Sequence, residues 1–267
     1  MDNNIYPNPR QISLLIVFFF SSFALYFFIT GSLPQLLGYH LSDLYIITSL
    51  ALSSISYLPL IIYFSMKSKV PLKWNVKFPG LKIFLLMALL SITLAVLISP
   101  LNNAMHFFNN ILSGKLKFLV FRVSEINLNM AIRIIALIVI APIIEEFFFR
   151  KQLLGQLLQK NSPKTAILIS SAFFAVGHFR IHELGSLFIW GLFFGIVFYK
   201  TKLVETSILL HSFSNLTIIL FKSEFHAVTE TNLLEYITIM VASFIIICLI
   251  IRYITKNDKL KVDFQKK

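Results

Sequence analysis

A single cysteine occurs in the 267 residues, and because it lies inside an apolar run at Cys248, a disulfide framework and a thiolate metal cluster are both excluded. Charge is also scarce. Asp, Glu, Lys and Arg make up 13% of the chain, against about 25% in an average soluble domain. No internal repeat is evident, and no soluble domain is long enough to stand alone. An apolar run begins near Ile12 behind Arg10, the layout of a signal peptide, but no small-residue cleavage site follows it. It reads as a first membrane helix that stays.

What is present is apolar: 57% of residues are hydrophobic and 15% aromatic. A water-soluble fold does not easily hide that much surface. Crossing about 30 Å of hydrocarbon takes roughly 20 apolar residues in a helix, and eight runs qualify: 12–30, 44–66, 83–99, 128–148, 165–179, 184–199, 203–221 and 233–254. The expected fold is all-α, a polytopic transmembrane helix bundle of about eight membrane helices. Three regions follow from the motifs below: N-terminal membrane helices and basic loops over 1–127, core helices over 128–221, and a last helix with a basic tail over 222–267.

The formal net charge of +12 suggests nucleic acid, but the basic residues fall between apolar spans, so the anionic membrane surface is the expected partner and nucleic acid is not. Cytoplasmic loops retain Lys and Arg. The second loop carries Lys67, Lys69, Lys73, Lys77 and Lys82, the fourth Arg150, Lys151, Lys160 and Lys164, the sixth Lys200 and Lys202, and the tail Lys256, Lys259, Lys261, Lys266 and Lys267. The first loop, 31–43, has no Lys or Arg. Both termini are therefore expected in the cytoplasm, with the chain in the plasma membrane if the source is bacterial. The connection 102–126 runs against the pattern with Lys115, Lys117 and Arg122, and is expected to lie as an amphipathic helix on the membrane surface.

An ionisable side chain within a membrane helix costs about 2.5–3.5 kcal/mol on insertion scales, so it needs a partner or a function. Three places break the rule together: Glu145-Glu146-x-x-x-Arg150, Phe174-x-x-x-His178 and His211-x-x-x-Asn215. At about 100° per residue, Glu146 and Arg150 share a helix face and Glu145 points away. Arg150 can neutralise Glu146, leaving Glu145 free for chemistry, and His211 and Asn215 can address one substrate group. Pro142 removes a backbone donor and is expected to kink the helix there. Asn161-Ser162-Pro163 is the strong turn signal between the motif helices, with Glu145 17 residues before Ser162 and His178 16 after it. At ~1.5 Å per residue both sit ~25 Å from the turn, level with each other. His211, ~12 Å into the membrane from Leu203, is expected in the same inner-half layer.

These motifs resemble those of the CPBP family of intramembrane endopeptidases, also called the Abi family, which includes the type II CAAX prenyl endopeptidases. No motif position departs from the family pattern. The resemblance implies proteolysis near the membrane surface on a peptide or membrane-anchored protein, with Glu145 and His178 activating a water and His211 and Asn215 holding the oxyanion. Glu146 and Arg150 are structural support. A zinc site of Glu145, His178 and His211 stays open, since two His and a Glu can bind zinc and leave a water position. The His-Glu-x-x-His spacing of common zinc peptidases is absent.

Taken singly, an intramembrane His or Asn serves interhelical hydrogen bonding, worth about 0.6 kcal/mol. The Phe residues at 147–149 read as lipid-facing or packing bulk, and Gly185, Gly191 and Gly195 as allowing close helix approach. His40, His106, His182 and His226 are given no role. Two other classes of function compete: a proton-coupled transporter, which would show broken helices in two related halves, and a non-catalytic scaffold or immunity protein of the same fold.

Overall fold

A computed structural model describes residues 78–102, 134–178, 180, 183–222 and 233–256, with 14, 17, 21, 116–117, 131 and 230–231 as isolated positions. The spans expected at 12–30 and 44–66, and most of the basic tail, lie outside the described residues. So do His40, His106, His182 and His226.

The described chain is helical apart from one two-residue pairing. Helix α1 is Leu81–Asn102. The first motif lies on one continuous helical rod, α2, made of a π-helical turn Ala136–Ile140, an α-helical piece Ala141–Glu146, a second π-helical stretch Phe147–Leu154 and a last α-turn Gly155–Leu157. Then come α3 (Pro163–Gly177), α4 (Leu184–Thr201), α5 (Val204–Lys222) and α6 (Leu233–Lys256).

Local chemistry sets the joints. Ser162 caps α3 by accepting from the Thr165 N–H at 3.3 Å, and Pro163 fills the first turn, where a missing donor costs nothing. Helix α4 closes on Lys202 in the left-handed conformation, φ 58°, with its N–H on the Phe198 carbonyl at 2.7 Å. The Lys202 ammonium lies 3.9 Å from the Tyr199 ring centre, and burial, then neighbouring Lys200, hold it below the ordinary lysine range.

Among the described residues three helices are long and apolar enough to cross a membrane: Leu81–Ser99, Leu184–Thr201 and Leu234–Lys256. Helix α3 is apolar but shorter. Helices α1 and α6 show how the bundle sits in lipid. Ile83, Met87, Leu90, Leu94 and Ile98 of α1 are buried at helical spacing, as are Ser243, Ile247, Ile250 and Ile254 of α6, whereas Leu85, Leu89, Val241, Phe244, Ile245 and Leu249 face outward. Apolar residues on an outer surface are at no disadvantage in hydrocarbon, and the inner stripe is what must find a partner. The protein is an integral membrane protein of all-helical fold.

Helix α1 packs against α5 and α6, and α3 against α4. The last contact depends on Gly191 and Gly195. A Cβ at Gly191 would stand 3.2 Å from both Cα and Cβ of Ser171, and one at Gly195 3.1 Å from Ile167 Cγ2. Gly185 plays no such part, since nothing lies within 4 Å of its would-be Cβ. Gly191→Leu is expected to force α3 and α4 apart and cost about 1–3 kcal/mol, read as a lowered Tm in detergent, while Gly185→Ala leaves the Tm unchanged or slightly raised.

One expectation needs correction. Leu116 and Lys117 do not belong to an amphipathic helix: they are extended and pair antiparallel with Thr231 and Glu230. The Pro142 region is helical but not uniformly α-helical. The backbone stays helical through Ile140 and Ala141, and a wider π turn precedes the proline, so the missing donor falls where the helix has already changed pitch.

Candidate active site

Glu145 and His178 come from antiparallel rods, α2 and the C-cap of α3, and Glu145 Oε2 lies 3.6 Å from His178 Nε2. His178 Nδ1 is 2.7 Å from the carbonyl of Phe174, one turn back. A carbonyl only accepts, so Nδ1 carries a proton, and in its neutral form the ring turns the Nε2 lone pair toward the carboxylate. Glu145 Oε2 is buried and has no hydrogen-bond partner among the described residues. Two acceptors facing each other at this distance call for a group that donates to both.

Glu146 points the other way into the core. Its Oε2 lies 2.9 Å from Arg150 Nε, an ion pair bent off the N–H axis, and its Oε1 takes His211 Nδ1 at 3.0 Å. Glu146 and Arg150 are fully buried. Arg150 also donates from Nη1 to Ser170 Oγ at 3.3 Å, and its guanidinium carbon stands 4.9 Å from the Phe174 ring centre and 5.6 Å from that of Phe194. The cation is thus solvated by one carboxylate, one hydroxyl and aromatic faces instead of water.

His211 lies flat on Phe194, with ring centres 4.7 Å apart and planes at 21°, and meets Phe174 edge-on at 5.6 Å. Phe174 also contacts the His178 ring at 4.5 Å, so one phenyl separates the two imidazoles. Asn215, one turn beyond His211, donates from Nδ2 to the carbonyl of Leu137 at 2.8 Å. Leu137 lies in the first π turn of α2, so one amide proton of Asn215 is spent on holding that turn. The expectation that His211 and Asn215 point together at one substrate group is therefore modified: each is also tied to α2.

No three His, Cys, Asp or Glu side chains among the described residues gather as a metal-ligand set. The zinc option has two donors together, Glu145 and His178, while the third, His211, is engaged by Glu146 at Nδ1.

Three participants escaped the reading of the sequence. Phe194 is one of 28 phenylalanines and carries no distinguishing signal. Phe149, taken as bulk, stacks edge-on with Phe174 at 5.3 Å. Ser170 had a signal: it stands four residues before Phe174 and eight before His178, on the same face of α3.

A helical membrane protein whose buried polar groups converge from three rods defines the class. Residues 127–217, which hold all three motifs, match the family model described as type II CAAX prenyl endopeptidase Rce1-like. A protein of Bacillus subtilis (strain 168) named "Putative membrane peptidase YdiL" is 26% identical over 144 residues, which is 50% of this chain and 59% of that relative. The aligned region thus spans a little over half of the relative's length. No solved structure matches the chain. Each match covers only part of the chain, and both agree with the resemblance that its three motifs carry.

Proposed function

We propose that the protein is an intramembrane endopeptidase that hydrolyses peptide bonds near the membrane surface, as CAAX prenyl endopeptidases do. The observation that carries this reading is the Glu145–His178 pair, 3.6 Å apart with a buried, unpaired carboxylate oxygen facing Nε2. A water that donates one proton to each has both lone pairs turned outward, the state of a nucleophile.

Glu145 takes a proton as the water oxygen bonds to the scissile carbonyl carbon. The oxyanion that forms is held by His211 and Asn215. With Nδ1 of His211 held by Glu146, the ring meets the oxyanion through Nε2 and donates there when that nitrogen carries a proton, and Asn215 donates through the amide proton that Leu137 does not use. Collapse breaks the C–N bond, and the proton returns through Glu145 or His178 to the leaving amine. The substrate is a peptide or the tail of a membrane-anchored protein, presented from the bilayer. About eight spans with both termini in the cytoplasm complete the proposed topology, the site lying in the inner half of the membrane.

The test is purified protein in liposomes with a panel of prenylated and unprenylated peptides. Wild type is expected to cleave at least one class. His178→Ala is expected to lower kcat about 10²–10⁴-fold while eluting and melting as wild type does. Uptake of a solute by wild-type vesicles without any cleavage would overturn the reading in favour of transport.

A further inference from the structure

Most buried hydroxyls among the described residues satisfy themselves within their own helix. Ser171, Thr201 and Ser214 each donate to the carbonyl four residues back. Ser170 does not. Its Oγ donates across to the Phe149 carbonyl of α2 at 2.9 Å and accepts from Arg150 Nη1 at 3.3 Å.

We propose that Ser170 is a positioning residue that sets the place of the His211 ring through Arg150 and Glu146. This rests on the peptidase reading and adds to it the device that orients the oxyanion donor.

The chain of contacts fixes each member in turn. The Phe149 carbonyl can only accept, so the Ser170 proton is committed there and a hydroxyl lone pair is left facing Arg150. Arg150 sits 2.9 Å from one oxygen of Glu146, and the other oxygen holds His211 Nδ1 at 3.0 Å. Ser170, Arg150 and Glu146 are all 0% exposed, so water does not compete for these contacts. Phe149 belongs to the second π-helical stretch, where the backbone ladder is irregular, and the hydroxyl pins that stretch at the residue next to Arg150. The same two rings, Phe174 and Phe194, border both the guanidinium and the imidazole. They restrain motion across the ring planes. Movement within the planes is left to the polar chain, which begins at Ser170.

Ser171 provides the control. It is equally buried and loses the same atom on replacement, but its hydroxyl reaches only Ile167 of its own helix. With the full-length protein in liposomes, Ser170→Ala is expected to lower kcat about tenfold with KM within about twofold, while Ser171→Ala stays near wild type. In ¹⁵N-histidine NMR, Ser170→Ala is expected to shift the His211 Nδ1 resonance, assigned by its loss in His211→Gln, and Ser171→Ala to leave it in place. If Ser170→Ala does not fold, Ser170→Cys, which weakens both bonds at nearly equal volume, carries the same expectations. Equal behaviour of the position-170 and position-171 variants in both readouts would overturn the proposal. A wild type that cleaves no peptide would count against the peptidase reading, and the His211 resonance would still decide the positioning role.

Discussion

Arg150→Met is expected to destabilise the protein by about 3–5 kcal/mol, the cost of leaving a buried carboxylate without its counter-ion. Glu146 and Arg150 are both fully buried, so Glu146 cannot recover hydration when the guanidinium goes. The loss should exceed what the missing side chain alone would cost, because methionine fills much of the volume between Phe149, Phe174 and Phe194. Arg150→Lys keeps the charge but gives up the fork that spans Glu146 and Ser170, and should fall between the two. Thermal unfolding and size-exclusion profiles in detergent check both. A methionine variant that melts with wild type would show that His211 suffices to hold Glu146, contrary to the arrangement described.

The second large effect is on chemistry. Glu145→Gln is nearly isosteric, but its amide cannot take a proton from water. Its kcat should fall about 10³-fold, within the range expected for loss of a general base. Stability should change little, since the lost carboxylate oxygen is the one with no hydrogen-bond partner. The contrast between neighbours is therefore sharp: position 145 governs rate and the partner of position 146 governs folding. Equal effects of Glu145→Gln on rate and on Tm would contradict that division.

The helical character of α1 and α6 was legible because 22- and 24-residue apolar helices leave little other choice, whereas which face is buried was not, since both faces are apolar. The pairing of Glu145 with His178 was legible for a similar reason. Two antiparallel helices joined at one turn, Ser162-Pro163, put equidistant residues level, and the observed separation is 3.6 Å. The Glu146–His211 contact was not, because the two residues are 65 apart and nothing local sets the register of α5 against α2. Nor were the π turns on either side of the glutamates, since an apolar stretch as continuous as 134–144 carries no mark of a changed pitch. Their consequence is physical: a π turn shifts the backbone ladder by one residue, and here Asn215 and Ser170 each donate to a carbonyl within one, Leu137 and Phe149. Spacing suggested that Asn215 faces the same group as His211. Packing instead gave part of its hydrogen-bonding capacity to the helix it borders.

Hydrolysis in H₂¹⁸O tests the central claim most directly. Purified wild-type protein in liposomes should convert a cleavable peptide into a product whose new carboxylate carries one ¹⁸O, and Glu145→Gln should form almost none in the same time. Cleavage at wild-type rate by Glu145→Gln would contradict the account.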